Sequence, residues 1–197
     1  MAVPPPSRPD PMNKAALRTR LRATRAAFVS HMHPDDIARH AMAVAARLIP
    51  ILQTARCVGG YAPLGNEFPI LPALEQAASR GIATALPHVT HRDRPMDFRT
   101  WTPGTVLEKG CFGLPQPDTG LPIVPDVILT PLLGFDRALQ RIGQGAGFYD
   151  RWLSAHPASI CVGIAWSVQE VPQIPVDAWD MPLHAIVTEK EWIGPSS

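Results

Sequence analysis

The first strongly periodic segment covers residues 14–28, where Leu17, Leu21 and Phe28 fall on one stripe of a helix. Arginines occupy several of the remaining positions around that stripe. An apolar stripe bordered by charged residues is typical of an amphipathic helix that packs one face on a core. We therefore predict a basic amphipathic helix at the start of the folded chain.

A second helix should begin at Pro34, because Pro-Asp-Asp is a common helix start, and should end at Ile49, immediately before Pro50. Proline inside a helix removes one hydrogen bond and crowds the preceding turn, so it favours a helix end. Two shorter helices are predicted, at residues 70–80 and 148–155.

Short apolar runs predict the strands that separate these helices. The run at 127–130 is almost entirely apolar, as expected for a central parallel strand that is covered on both faces. Because strands and helices alternate along the chain, we predict an α/β fold with a mainly parallel sheet. The predicted strands are residues 57–61, 83–86, 96–101, 127–130, 160–165 and 185–188.

Composition and charge agree with a compact protein that binds small molecules. The chain has 197 residues, of which 46% are hydrophobic, and this is enough for one domain with a substantial core. A net charge of +1 gives no reason to expect nucleic acid or an acidic membrane surface as partner. No apolar run is long enough to cross a membrane, and we expect a cytoplasmic protein. Cys57, Cys111 and Cys161 are odd in number and lack metal-ligand spacing, so we expect reduced structural thiols.

The proline-rich start of the chain has no periodic apolar face and no apolar segment typical of a secretory signal. We interpret residues 1–12 as a disordered leader and residues 13–197 as a single domain. Two alternatives stay open: Met12 is the true start, or the basic stretch that follows is an organelle transit peptide.

The most informative stretch for chemistry runs from Arg141 to Arg151 and reads Arg-Ile-Gly-Gln-Gly-Ala-Gly-Phe-Tyr-Asp-Arg. It follows an apolar strand and leads into the helix at 148–155. A glycine-rich turn before a helix exposes backbone N–H groups to an anion, and the helix N-terminus adds partial positive charge. Arg141 can hold a phosphate oxygen, and Asp150 is placed to hold a metal that the phosphates share. The pattern predicts a nucleoside-triphosphate site.

The better-known phosphate loops do not fit this stretch. A P-loop needs Lys and Ser or Thr after its glycines, whereas Phe148 and Tyr149 follow here. A dinucleotide fingerprint starting at Gly143 would need its third glycine at Phe148. The plain alternative is a glycine-rich connection that only turns the chain.

Residues 135–153, which contain this loop, resemble the signature of the 5-formyltetrahydrofolate cyclo-ligase family. The resemblance extends from about residue 13 to about residue 190, with its landmarks in the right order. Those landmarks are Asn-Lys-Ala-Ala-Leu-Arg at 13–18, Tyr-Ala-Pro-Leu-Gly-Asn-Glu at 61–67, Met-Asp-Phe at 96–98, Gly-Leu-Pro-Gln-Pro at 113–117, Val-Gly-Ile-Ala at 162–165, Gln-Glu-Val at 169–171, Asp-Met-Pro-Leu at 180–183 and Ile-Val-Thr-Glu at 186–189.

The resemblance implies a three-layer α/β/α arrangement related to the CoA-transferase and ribose-phosphate isomerase folds. It also implies a monomeric enzyme of one-carbon metabolism that uses ATP and Mg²⁺. The implied substrate is 5-formyltetrahydrofolate, with or without a polyglutamate tail, and the product is 5,10-methenyltetrahydrofolate, with ADP and phosphate released. Two other functions stay open: an ATP-dependent ligase or kinase acting on another heterocycle, and a non-catalytic folate- or nucleotide-binding regulator.

The resemblance also implies the roles of particular residues. Arg141 and Tyr149 would be catalytic, and Asp150 and Asp180 would bind magnesium. The implied ATP-binding residues are Lys14, Arg18, Arg141, Ile142, Gly143, Gln144, Gly145, Ala146, Gly147, Phe148 and Tyr149. The implied folate-binding residues are Glu67, Phe112, Gln144, Gly145, Ala146, Gly147 and Phe148, with Gln116 as a weaker candidate.

Each of these assignments has a simpler alternative. Lys14 and Arg18 could form a solvated basic face, Glu67 could cap the helix that follows it, Phe112 could be a core residue, and Asp180 could be a turn residue. The chain also departs from the family's usual residues at four places: Leu139 and Ala146 where glycine is common, Trp179 where histidine is common, and Phe-Pro at 68–69.

Overall fold

The computed structural model describes residues 11–195. Four α-helices are present in this range, and the first begins at Pro11. The predicted leader lies outside the described residues up to position 10, so it stays a prediction. The helices are α1 (Pro11–Ser30), α2 (Pro34–Leu52), α3 (Leu71–Ser79) and α4 (Phe148–Ala155), with short 3₁₀ turns at Cys111–Gly113 and Ser167–Gln169.

Seven of the strands form the main sheet, and the other four form two small hairpin-like pairs. The strands are β1 (Cys57–Gly59), β2 (Ala83–His88), β3 (Asp97–Trp101), β4 (Leu107–Lys109), β5 (Pro115–Pro117), β6 (Val127–Pro131), β7 (Gly134–Phe135), β8 (Arg141–Ile142), β9 (Ile160–Ile164), β10 (Ala185–Val187) and β11 (Trp192–Ile193).

The main sheet has the order β11-β10-β9-β6-β1-β2-β3. Its five central strands are parallel, and only the edge strands β3 and β11 pair antiparallel. The chain moves from β1 outward to β2 and β3, then returns to β6 and continues outward through β9 and β10. The direction of winding therefore reverses between β1 and β6.

Side chains along the central strands alternate between two apolar clusters on opposite faces of the sheet. In β6, Val127 and Leu129 pack with α2 and α3, whereas Ile128 packs on the side of Trp152 and Leu153 from α4. A strand buried on both faces must be apolar at successive positions, which explains why this segment could be predicted as a central strand from the sequence. The predicted α/β fold with a mainly parallel sheet covered on both faces is confirmed.

The predicted end of α2 at Ile49 is wrong, because the helix continues through Pro50 to Leu52. Proline removes one hydrogen bond from the last turn, but Leu48 and Leu52 lie one turn apart and are both buried in the core. Their burial offsets the lost hydrogen bond. Several predicted strands are also one or two residues too long at their C-terminal ends.

Across the described range, none of the helices is both long enough and apolar enough to span a membrane. The three cysteines are unpaired, and Cys57 and Cys161 lie in buried strands. Burial raises the pKa of Cys57 to about 11 and that of Cys161 to about 12, so both remain thiols near neutral pH. These two side chains act as small core residues.

Candidate active site

A cavity of about 980 Å³ opens at the carboxyl edge of the sheet, beside the point where the winding reverses. It is bordered by the loop that follows β1, by the loop between β8 and α4, and by one face of α1. Open parallel sheets bind their ligands in this position, because loops leaving adjacent strands in opposite directions create a crevice. The volume lies at the upper end of the usual range for small-molecule sites.

The glycine-rich loop forms one wall of the cavity. Gly145 has φ +106° and Gly147 has φ +66°, which are left-handed conformations that a residue with a Cβ adopts only at a cost. Gly147 is also the N-cap of α4, so the helix begins directly after the loop. Arg151 closes the loop from behind, since its Nη1 donates to the carbonyl oxygen of Ala146 at 2.9 Å.

Helix α1 supplies cationic side chains to the opposite wall. The Nε of Arg18 donates to the carbonyl oxygen of Gly143 at 3.0 Å, which ties the helix to the glycine loop. The Nζ of Lys14 donates to Asp177 and to Asp180, at 2.6 Å in each case. Burial alone would lower the pKa of Lys14, but the hydrogen bonds and charges of these two carboxylates outweigh it and raise the pKa. Lys14 is therefore a charged group held between two carboxylates.

Arg141 makes a second ion pair in the same part of the cavity. Its Nη2 donates to Oδ1 of Asp150, which lies in the first turn of α4. The Nε of Arg141 is buried and has no hydrogen-bond partner within residues 11–195. The two carboxylates predicted to bind a metal, Asp150 and Asp180, are thus each paired with a cation predicted to bind phosphate.

Glu67 lies in the turn after β1 and lines the same cavity. Its Oε2 accepts a hydrogen bond from the backbone N–H of Leu64 at 3.0 Å, which closes the turn. The alternative that Glu67 caps α3 is wrong, since α3 has Ile70 as its N-cap and no side-chain cap. Burial raises the pKa of Glu67, while the Leu64 N–H, Arg25 and Gln144 oppose that rise.

Tyr149 also lines the cavity, within electrostatic reach of both Glu67 and Arg141. Burial raises its pKa, and the charge of Glu67 raises it further. The hydroxyl therefore stays protonated near neutral pH, so it can donate a hydrogen bond but cannot act as a base.

Aromatic side chains form the rim of the cavity. Phe112 is 57% exposed, so the alternative that it is a core residue is wrong. Its φ of +60° is unusual for a residue with a side chain and turns it toward Phe148, with ring centroids 6.0 Å apart. Trp179 also lines the cavity and is 71% exposed. Gln116, the weaker candidate, instead accepts from the backbone N–H of Val89 at 3.0 Å and lies outside the cavity lining.

All fifteen residues predicted for the site line this one cavity, although they come from distant parts of the chain. Their individual roles stay predictions. The fifteen residues are Lys14, Arg18, Glu67, Phe112, Arg141, Ile142, Gly143, Gln144, Gly145, Ala146, Gly147, Phe148, Tyr149, Asp150 and Asp180.

Three charged residues of the cavity, Arg25, Arg151 and Asp177, were given no role from the sequence. Arg25 lies on the same face of α1 as Lys14 and Arg18, at spacings of four and then seven residues, and this helical spacing was a usable signal. Asp177 gave no comparable signal, because only the folded chain brings it to Lys14.

A family model described as the 5-formyltetrahydrofolate cyclo-ligase family matches residues 11–189. The chain belongs to this family. Among the cyclo-ligases similar to it, the Escherichia coli K12 enzyme is 33% identical over 153 residues, which cover 73% of this chain and 84% of that one. The Mycolicibacterium smegmatis enzyme is 30% identical over 199 residues, covering 93% and 97% of the two chains.

The fold agrees with this membership. An NMR structure of 5,10-methenyltetrahydrofolate synthetase from Aquifex aeolicus superposes with a TM-score of 0.75 and 28% sequence identity. The superposition covers 91% of each chain. The resemblance inferred from the sequence is confirmed.

The residues present fit a nucleotide with its magnesium ion. Taking the described residues alone, no group of three or more His, Cys, Asp or Glu side chains could hold a metal without help. Asp150 and Asp180 offer hard oxygen ligands, and Mg²⁺ commonly uses one or two carboxylates together with phosphate and water oxygens. The unpartnered Nε of Arg141 and the open glycine loop provide donors for phosphate.

Proposed function

We propose that this chain uses ATP and Mg²⁺ to cyclise 5-formyltetrahydrofolate to 5,10-methenyltetrahydrofolate, with release of ADP and phosphate. The conversion of the folate follows from family membership, whereas the use of ATP and the residue roles are the proposal. One observation carries it: the side chains expected for both ligands line a single cavity. A plain turn or a separate nucleotide site would not bring Glu67 to the glycine loop.

The chemistry explains why two ligands must share one cavity. The oxygen of a formamide is a poor leaving group, so direct ring closure with loss of water is slow. Transfer of a phosphoryl group to that oxygen makes it a good leaving group, and N10 of the folate can then attack the formyl carbon. The protein must align two ligands and neutralise phosphate charge, and it needs no covalent nucleophile.

We assign the phosphates of ATP to the nucleotide end of the cavity, defined here as Lys14, Arg18, Arg141, the loop 143–147, Asp150 and Asp180. Lys14, Arg18 and Arg141 would bind phosphate oxygens, with the loop N–H groups completing the cradle. Magnesium held by Asp150 and Asp180 would supply further charge neutralisation. The ion pairs that these side chains make in the ligand-free protein would have to be exchanged for contacts to the ligand.

We assign the folate to the pterin end, defined here as Arg25, Glu67, Phe112 and Phe148. The Glu67 carboxylate would accept hydrogen bonds from the 2-amino group and N3–H of the pterin. Phe112 and Phe148 would pack on the folate beyond the pterin. Tyr149 lies between the two ends, where its protonated hydroxyl can donate to the formyl oxygen or to the phosphate transferred to it.

One chain supplies both ends of the cavity, so a monomer is sufficient for the reaction. We expect it to act in the cytoplasm, on folates with or without polyglutamate tails.

A direct assay tests the proposal. Formation of methenyltetrahydrofolate is followed by its absorbance with purified protein, 5-formyltetrahydrofolate, ATP and Mg²⁺, and ADP is measured in parallel. We expect product only when all three small molecules are present, with one ADP per methenyltetrahydrofolate. Product formation without ATP would contradict the nucleotide part, and ATP use with another heterocycle alone would contradict the folate part.

A further inference from the structure

Arg25 is the least satisfied charged group in the cavity wall. Its side chain is 9% exposed, and its Nε is buried without a hydrogen-bond partner in the described part of the chain. The nearest carboxylate oxygen is Oε1 of Glu67, which lies 4.0 Å from Nη1 and is too far for a hydrogen bond. A buried guanidinium left in this state is costly, so an arrangement of this kind calls for a functional explanation.

The polar neighbours of Arg25 make their hydrogen bonds with other groups. The hydroxyl of Tyr61 already donates to the carbonyl oxygen of Phe68 at 2.8 Å. The side-chain oxygen of Gln144 already accepts from Arg22, at 2.9 and 3.1 Å. Since Arg25 also lines the cavity, a ligand that fills the cavity at this end can supply an acceptor to it.

The edge of a pterin has the required chemistry. It presents two donors side by side, the 2-amino group and N3–H, followed by an acceptor, the carbonyl oxygen at C4. A carboxylate that accepts from the two donors leaves the C4 oxygen next to its own oxygen, where the two would repel each other. A guanidinium placed about one contact distance from the carboxylate removes that repulsion by donating to the C4 oxygen.

We propose that Arg25 binds the C4 carbonyl oxygen of the pterin and makes the cavity selective for 4-oxo over 4-amino pterins. This inference rests on the proposed function, because it takes Glu67 as the group that binds the pterin donors. Arg25 and Glu67 then bind the whole edge of the ring. The carboxylate accepts from the 2-amino group and N3–H, and the guanidinium donates to the C4 oxygen. A 4-amino pterin presents a donor to Arg25 and lacks the proton on N3, so it loses both interactions.

The test compares two ligands in the full-length protein without ATP, so that no turnover occurs. The probes are 5-formyltetrahydrofolate and its 4-amino counterpart, 5-formyltetrahydroaminopterin, with binding measured by calorimetry. For Arg25→Met we expect the dissociation constant for 5-formyltetrahydrofolate to rise roughly 10- to 100-fold, as for loss of a hydrogen bond from a charged group. Affinity for the 4-amino ligand and for ATP should change little, so that the preference for the 4-oxo ligand disappears.

Two further variants separate this contact from other roles. Arg20→Met changes an exposed arginine on the same helix and should leave both affinities unchanged. Arg25→Lys keeps a charge beside Glu67 without the planar fork, so it should recover part of the affinity for the 4-oxo ligand. Without ligand, Arg25→Met should melt close to the wild type, because a 4.0 Å ion pair but no hydrogen bond is lost, and it should gain less stability from 5-formyltetrahydrofolate.

The outcomes are distinct. If Arg25→Met binds both pterins as the wild type does, or loses both equally, the assignment of the C4 oxygen is overturned. If neither Arg25 variant folds, Arg25 is structural and the assignment is equally overturned. If the wild type binds neither pterin, it is the proposed folate function that fails.

Discussion

The two ends of the cavity differ in how closely the protein's own side chains pair their charges. At the nucleotide end, Lys14 lies 2.6 Å from each of two carboxylates, and Arg141 is paired with Asp150. At the pterin end, Arg25 and Glu67 are both buried and face each other at 4.0 Å without a hydrogen bond. The cations at the nucleotide end are therefore closely paired with carboxylates, whereas the Arg25–Glu67 pair at the pterin end is long.

Under the proposed assignment of the two ligands, this difference implies two kinds of binding. A nucleotide must displace existing ion pairs, so phosphate alone would free carboxylates and a metal alone would free cations. Joint entry of phosphate and magnesium leaves no charge unpaired, which favours binding of the metal–nucleotide complex. A pterin instead satisfies groups that are already in place, so its binding relieves a cost that folding has already incurred.

The largest effect is expected from disrupting the nucleotide end. Asp150→Ala should lower kcat on the order of 100-fold, since a charge that stabilises the transferring phosphate is lost. Asp180→Ala should act in the same direction but more mildly, because water can replace one ligand. Turnover is measured from methenyltetrahydrofolate absorbance over a range of Mg²⁺ concentrations, with the exposed Asp93→Ala as a matched control. Near-wild-type turnover of the Asp150 variant at limiting Mg²⁺ would show that the metal assignment is wrong.

A somewhat smaller effect is expected at the pterin end. Glu67→Gln exchanges a carboxylate that accepts two N–H bonds for an amide that can accept only one of them, at a cost of roughly 1.5–3 kcal/mol. The KM for 5-formyltetrahydrofolate should rise accordingly, while the KM for ATP stays nearly constant. Glu75→Gln, on the exposed side of α3, is the matched control. A change in the ATP KM alone would move Glu67 to the nucleotide end.

The same carboxylate predicts a pH dependence that only the folate shows. Burial raises the pKa of Glu67, so its ionised form is lost at a higher pH than for an ordinary glutamate. Below that pKa the protonated acid no longer accepts both pterin N–H bonds, and the folate KM should rise by up to about tenfold per pH unit. The affinity for the folate should therefore fall on acidification and become constant above the pKa of Glu67. Steady-state kinetics across the acidic range test this, and Glu67→Gln should abolish the dependence.

The smallest expected effect concerns stability without ligands. Lys14→Met leaves Asp177 and Asp180 close together without their cation, so the free energy of unfolding should fall by about 1 kcal/mol. Arg25→Met, by contrast, removes a group that makes no hydrogen bond and only a 4.0 Å ion pair with Glu67, so the free energy of unfolding should fall less. Urea unfolding of the two variants measures the contrast directly. Equal destabilisation by both would show that the two ends are not differently satisfied.

Sequence alone predicted the architecture because the signals that carry it are local. The apolar run that became β6 and the glycine-rich loop before α4 each depend on a few neighbouring residues. The pairs β4–β5 and β7–β8 were missed, since strands of two or three residues have too little periodicity to be recognised. The end of α2 was wrong because burial of Leu52, a tertiary effect, outweighed the local preference of proline.

For the candidate site, too, local features were predictable from the sequence and contacts between distant segments were not. The residues of the glycine loop were predictable, but the partner of each charged group was not, because Lys14 and Asp180 are separated by 166 positions. The structure also shows the backbone conformation of Leu139, which the sequence alone could not predict. Its φ of +63° is a backbone conformation that favours glycine, and a hydrogen bond from its N–H to the carbonyl oxygen of Asp136 at 3.1 Å closes the turn.

Helix α1 is the first element described in the chain, yet the residues that hold it come from the second half. Leu17 and Leu21 pack with Leu133, Ile142, Val171 and Ile174, and Lys14 reaches Asp177 and Asp180. Contacts between such distant segments form late in folding, because the intervening chain must first be ordered. During synthesis this helix can dock only after most of the chain, including its contact residues in the second half, has been made. We therefore expect the cavity to close late in folding, and a chain that ends before Asp180 lacks part of the site.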